Sequence, residues 1–164
     1  SLNVFLDPGR VMPKFGDFIS SCRDCDGIVI DLRGNPGGIG AMAMGMAGWF
    51  VDKAGLRLGT MFMRDNELKF VIFPRAEPFT GPVAILVDGA SASTSEILAG
   101  GLKDIGRARI FGTRTAAAAL PSSIEQLPNG DGFQYAQANY ISEGGKPLEG
   151  LGVIPDVVAP LTRE

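Results

Sequence analysis

The residue types with the most chemistry in them sit in Asp88-Gly89-Ala90-Ser91-Ala92-Ser93-Thr94-Ser95-Glu96. Just upstream, Val83-Ala84-Ile85-Leu86-Val87 is an apolar run of the kind a buried strand carries. Just downstream, Ile97-Leu98-Ala99 opens a helix-like pattern. A strand that turns sharply into a helix puts Ser93 at a helix N-terminus. Unpaired N–H groups and the positive end of the helix dipole can there stabilise a developing oxyanion. The small neighbours leave room for a substrate backbone to approach. The same residues also read as a capping box, with Ser93 as N-cap and Glu96 three positions on. The residues alone leave both readings open.

A second constellation is Arg33-Gly34-Asn35-Pro36-Gly37-Gly38, a glycine-rich turn after the apolar run Gly27–Leu32. Only glycine lets a backbone N–H come close to a tetrahedral intermediate at such a turn. A nucleophilic serine also needs a base. The chain has no histidine, so a Ser-His-Asp triad cannot be built from it alone. The base must be a lysine, a carboxylate, or a group from outside these residues. Cys22 and Cys25 form a lone C-x-x-C. With no second pair and no histidine, they are expected to be free structural thiols that bind no metal.

Composition narrows the remaining classes. At 164 residues, 45% of them hydrophobic, and with a mean hydropathy of +0.16, the chain is long and apolar enough for one globular core. The net charge of −3 and the lack of a basic run speak against nucleic-acid binding. No apolar run is long enough to span a membrane, and no signal peptide opens the chain. The sequence starts abruptly in apolar residues at Ser1–Phe5, so residues 1–164 are expected to be a single core domain excised from a longer protein.

The elements that must position these residues follow from periodicity. A helix is expected over Val11–Cys22, with Phe15, Phe18 and Ile19 on one face, and a buried strand over Gly27–Leu32. A helix crowded with small residues and methionine spans Ile39–Val51. Leu56–Arg64 and Glu67–Pro74 read as a hairpin around Asp65-Asn66. Pro82–Asp88 is a buried strand, Ser93–Ile105 a helix, and Arg107–Gly112 another strand. Ala116–Ala119 is featureless. Ser123–Leu127 and Gly132–Ile141 flank the turn Pro128-Asn129-Gly130-Asp131. The tail from Leu148 to Asp156 reads as a loop. The alternation argues for an α/β fold with a largely parallel sheet flanked by helices, plus β-hairpins.

Four segments line up, in order, with one family: Asp31–Gly38, Val87–Gly100, Gly106–Gly112 and Glu149-Gly150-Leu151-Gly152-Val153-Ile154-Pro155-Asp156. Over residues 26–158 the chain resembles the S41 serine peptidases, the C-terminal processing (tail-specific) proteases and their tricorn-like relatives. The resemblance implies a ClpP/crotonase-like core, a polypeptide substrate and no cofactor. It makes Ser93 the nucleophile, compatibly with a capping role, and assigns the oxyanion hole to the N–H of Thr94 with that of Gly37 or Gly38. It also implies PDZ and other N-terminal segments in a full-length protein. The setting it suggests is the bacterial envelope or the exterior of the cell.

One departure from the family pattern matters. Processing proteases carry Gly-x-x-Thr-x-Gly-Lys-Gly after the last core strand, and its lysine is the general base, with a pKa lowered by burial. Here the stretch reads Gly112-Thr113-Arg114-Thr115-Ala116-Ala117-Ala118-Ala119, and the lysine position falls on Ala118. Arg114 cannot replace it, since a guanidinium keeps its proton. Tricorn-like members instead use a histidine and a second serine from N-terminal sequence, with a glutamate in a context that Glu149 matches. The expected function is serine-based peptide hydrolysis with the base supplied from outside these residues. The alternatives are an inactive ligand- or peptide-binding module on the same fold, and a crotonase-like acyl-CoA enzyme. The last leaves the serine-rich turn unexplained.

Overall fold

A computed structural model describes residues 1–160. In chain order its elements are α1 (Pro8–Ser21), β1 (Ile28–Asp31), α2 (Gly40–Ala47), β2 (Arg57–Phe62), β3 (Glu67–Val71) and β4 (Val83–Val87). There follow α3 (Thr94–Asp104), β5 (Arg109–Gly112), β6 (Ser122–Gln126), β7 (Gly132–Ala136), β8 (Asn139–Ser142) and β9 (Val157–Val158). The central sheet has the order β1-β4-β5-β9, and every pairing in it is parallel. The apolar runs that predict buried strands therefore lie side by side, and Ile30, Leu32, Ile85, Val87 and Ile110 fill the core.

Beside this sheet lies an antiparallel one of order β3-β2-β8, and β6 and β7 form a separate hairpin. The expected β2–β3 hairpin is present. The strand expected over Gly132–Ile141 is two strands. β7 pairs with β6, whereas β8 pairs with β2. The break falls at Gln137, whose N–H turns to the Pro121 carbonyl. Beyond it, Tyr140 is buried edge-on against Phe70 at 5.2 Å between ring centres, which draws β8 away from the hairpin and onto the core. The tail read as a loop also contains a strand. The Asp156 carboxylate and N–H bond to the Ile110 N–H and carbonyl at 2.8 Å each, and lay β9 along β5.

Helix α1 starts three residues before the expected Val11. Asp7 caps it by accepting the Arg10 N–H at 3.2 Å, and Pro8 occupies its first turn, where its preset φ fits and its missing N–H costs nothing. Helix α2 ends before the expected Val51, because the chain closes on Gly48, where a side chain would collide with the Phe73 carbonyl. Helix α3 packs so closely on β2 that a Cβ at Gly101 would stand 2.7 Å from Leu58 Cα.

The cysteines correct the expectation of free thiols: Cys22 and Cys25 form a disulfide. Cys22 is the C-cap of α1, and the Cys25 N–H returns to the Cys22 carbonyl at 3.1 Å. That tight turn brings the two Cα atoms to 5.0 Å, within the range a bridge requires.

Candidate active site

Strands β1 and β4 are parallel neighbours, so the turns that follow them, Arg33–Gly38 and Asp88–Ser93, emerge side by side at one end of the sheet. This is where ligand sites form in open parallel sheets. The two turns are stitched together. Asp88 Oδ1 accepts the Gly34 N–H at 3.0 Å, and the Ser91 hydroxyl donates to the Leu32 carbonyl at 2.8 Å. The Asn35 carbonyl accepts the Ser95 hydroxyl and the Ala92 N–H, each at 3.0 Å. The Thr94 hydroxyl donates to the Gly38 carbonyl at 2.7 Å.

Ser93 has φ 55° and ψ −117°, a conformation that L-residues rarely adopt. Four hydrogen bonds hold it there. Its N–H is shared between the Ala118 carbonyl at 2.9 Å and Glu96 Oε2 at 3.0 Å. Its carbonyl accepts the N–H groups of Glu96 and Ile97 as the first bonds of α3. The Glu96 arm of the expected capping box is therefore made, but Glu96 does more than cap. It is fully buried, and its carboxylate accepts four donors. Besides the Ser93 N–H these are the Thr115 hydroxyl (2.6 Å), the Ala117 N–H (2.9 Å) and the Ala118 N–H (3.1 Å). A carboxylate accepts on both oxygens and donates nothing, so it can serve as such a hub. The sequence signals only the cap. Glu96 ties the serine turn to Thr115–Ala118, a link that local spacing does not reveal.

The glycine turn brings its backbone against Ser93. A Cβ at Gly37 (φ 99°) would stand 2.7 Å from Ser93 Cβ and 2.9 Å from the Thr94 nitrogen. The Gly37 N–H is already taken by Asn35 Oδ1 at 2.9 Å. Among the described residues, no acceptor engages the Gly38 N–H or the Thr94 N–H. Gly38 lies so tightly against the Phe5 backbone that no side chain fits there.

Glu149 and Ala118 line the same cavity as Ser93, of about 520 Å³, together with Pro36 and the hairpin residues Gln134 and Tyr135. One Glu149 oxygen accepts the N–H groups of Ala119 (2.8 Å) and Leu120 (3.2 Å). The Glu149 loop is fastened from two sides. The Gly150 N–H donates to the Ala117 carbonyl, and the Arg114 guanidinium donates to the carbonyls of Gly150 and Leu151. Arg114, rejected above as a base, is the clamp on this loop. Ala117 adopts φ 59° at the position where the processing-protease pattern has glycine. Ala118 follows it, at the position where that pattern has lysine.

No charged group other than Glu149 lines this cavity among the described residues. Asp31, at the end of β1, points its carboxylate to Arg33 through two bonds of 2.9 and 2.7 Å, and that hydrogen bonding holds its pKa below the ordinary carboxylate value.

Comparison with known proteins accords with this geometry. Residues 5–159 match Peptidase family S41. The chain is 34% identical over 140 residues to a carboxyl-terminal-processing protease of Picosynechococcus sp., covering 84% of this chain and 33% of that protein. It is 32% identical over 131 residues to a probable CtpA-like serine protease of Staphylococcus epidermidis, covering 79% of this chain and 27% of that protein. Among solved structures it superposes on a photosystem II D1 C-terminal processing protease with TM-score 0.78 at 28% identity, covering 96% of this chain and 41% of that one. The chain thus spans a third or less of the length of the curated relatives it matches. It belongs to peptidase family S41 and forms a serine-peptidase domain of that family.

Proposed function

From membership of peptidase family S41, we propose that the protein hydrolyses polypeptides by acyl transfer through Ser93. The observation that carries this reading is the pair of unengaged N–H groups, on Gly38 and Thr94, beside a serine held at φ 55°. Ser93 Oγ attacks the scissile carbonyl carbon and its proton passes to a base. The carbonyl oxygen, now anionic, sits between the Gly38 and Thr94 N–H groups. The tetrahedral intermediate collapses, the C–N bond breaks, and the base returns the proton to the leaving amine. Water then repeats the sequence on the ester. Of the two glycines, Gly38 supplies the donor, because the Gly37 N–H is committed to Asn35. Gly37 contributes closeness.

The base comes from outside these 164 residues, and its partner is Glu149. The Glu149 carboxylate borders the Ser93 cavity and its loop is clamped by Arg114, which supports a role in orienting an incoming imidazole. The domain works as one unit of a longer polypeptide with PDZ and other N-terminal segments. A setting in the bacterial envelope or outside the cell agrees with the Cys22–Cys25 disulfide. Among the described residues, no helix is long and apolar enough to cross a membrane.

The test is labelling of the intact protein with a serine-directed fluorophosphonate. Labelling that Ser93→Ala abolishes, and that replacement of one histidine elsewhere in the polypeptide also abolishes, is the expected result. One observation favours a second reading, a binding module without catalysis: Ala118 stands where the family lysine belongs. An unlabelled intact protein that still binds peptides would establish that module instead.

A further inference from the structure

At the end of the central sheet opposite Ser93, a cavity of about 830 Å³ opens where β4 and β5 begin. The loop at 80–83, the last turn of α3 and the turn at 106–109 form its walls. Its charged lining residues are Lys103, Arg107, Arg109 and Asp156. We propose that this cavity binds a phosphate group carrying two negative charges, as a phosphate ester or pyrophosphate does. The proposal stands apart from the peptidase reading, since the two cavities share no lining residue.

The charges around the cavity do not cancel. The Asp156 carboxylate is spent within the fold: one oxygen accepts the Ile110 N–H at 2.8 Å and the other pairs with Lys103 Nζ at 3.0 Å. Arg107 and Arg109 are left over. Arg107 donates Nε to the Phe50 carbonyl, and Nη2 to the carbonyls of Phe79 (2.7 Å) and Gly81 (2.8 Å). These acceptors are neutral, so they fix the guanidinium in place without cancelling its charge. Asp52, the acid whose charge acts on it, lines the adjoining cavity and not this one. Arg109 stands two positions further on, with its guanidinium 5.5 Å from the Phe111 ring centre. It adds a weaker attraction to Asp156, but neither arginine makes an ion pair among the described residues. A guanidinium keeps its proton at physiological pH, so the cavity holds a surplus of two positive charges.

The surroundings suit an oxyanion. Backbone carbonyls that would repel one are occupied: those of Phe79 and Gly81 by Arg107, and that of Pro82 by the Ile28 N–H at 3.0 Å. The negative end of α3 is covered likewise. Gly106 (φ 71°) folds the chain back, so that the Arg107 and Ala108 N–H groups donate to the Leu102 carbonyl and the Gly106 N–H to the Lys103 carbonyl. A guanidinium matches phosphate oxygens through parallel N–H bonds, and the two Nη1 donors of Arg107 are unengaged among the described residues. Two unmatched cations in one cavity call for two negative charges on one small group. A phosphate ester or pyrophosphate brings them, whereas a single carboxylate leaves one cation over. The volume lies within the range of small-ligand pockets.

The test is titration calorimetry of inorganic pyrophosphate into the intact protein. Binding tighter than about 1 mM is expected, weakening as salt is raised. Arg109 is exposed, and its side chain makes no hydrogen bond among the described residues. Arg109→Gln should therefore leave the melting temperature unchanged and weaken binding about tenfold or more. Arg109→Lys keeps the charge without the fork and should fall between. Arg64→Gln removes an exposed cation outside the cavity and should leave the affinity unchanged. Sedimentation with phosphatidylcholine vesicles carrying phosphatidic acid separates two sources of the group. Vesicle binding that Arg109→Gln weakens and pyrophosphate competes away assigns a lipid headgroup, and pyrophosphate binding without vesicle binding assigns a soluble phosphate ester. Absence of both would overturn the proposal, and so would equal effects of Arg109→Gln and Arg64→Gln.

Discussion

Glu96→Gln is the substitution that probes how the serine turn is held. Four donors converge on the Glu96 carboxylate, two on each oxygen. Glutamine keeps one acceptor oxygen and turns an NH2 group toward the other two donors. Whichever way the amide faces, two hydrogen bonds to a charged acceptor disappear, and two buried donors are left facing a donor. At about 1.5–3 kcal/mol for each bond to a charged group, the loss comes to about 3–6 kcal/mol. That is a large part of a domain's total stability, which is about 5–15 kcal/mol. It corresponds to a fall in melting temperature of roughly 6–24 °C for a chain of this size. Urea unfolding followed by fluorescence of the single tryptophan, Trp49, gives the midpoint and slope directly. Glu149→Gln is the control, because that side chain is exposed and only one of its oxygens is bonded. A Glu96→Gln midpoint within about 1 kcal/mol of the parent, at unchanged slope, would refute the hub.

Two further outcomes are expected. Burial pushes the pKa of Asp156 up, but the Ile110 N–H bond and the Lys103 hydrogen bond and charge outweigh this and hold it below the ordinary aspartate value. Its folded pKa is thus lower than its unfolded one. The stability it contributes is present above about pH 4 and lost as pH falls through the folded value, so Asp156→Asn should flatten the acid arm of a stability–pH curve measured by denaturation. A variant with an unchanged acid arm contradicts this. The Cys22–Cys25 bridge closes a very short loop, so Cys22→Ser with Cys25→Ser should cost no more than about 2 kcal/mol. Ser93 labelling should be unaffected, and intact mass under denaturing, non-reducing conditions should show the parent two hydrogens lighter than its reduced form.

Much of the site was legible because its parts are local. Buried parallel strands are continuous apolar runs, so β1 and β4 stand out, and the turns after them are marked by Gly37, Gly38 and Ser93. Their adjacency follows from the parallel order of the sheet. What was not legible depends on contacts made across the chain. Residues 139–142 have the same alternation as the hairpin strand before them, and only the burial of Tyr140 against Phe70 sends them to another sheet. β9 exists because Asp156 reaches Ile110. The proposed choice of Gly38 over Gly37 as oxyanion donor turns on Asn35, whose side chain claims one of the two N–H groups. The cysteine pair was misread because its state depends on a turn after α1 that the spacing alone does not specify.

The bonds between the two turns reach far along the chain: Thr94 to Gly38 spans 56 residues, Ser91 to Leu32 spans 59, and Ser95 to Asn35 spans 60. The Glu96 hub adds links of 19 to 22 residues in the other direction. None of these contacts can form while the sheet is incomplete. In an unfolded or half-made chain Ser93 is an ordinary alcohol, with a relaxed backbone and no paired N–H groups beside it. Reactivity and tertiary structure therefore arise in the same cooperative event, and they vanish together on opening. On the peptidase reading, a newly made copy would cleave nothing until it has folded, and a locally unfolded one would be switched off before it could cut at random.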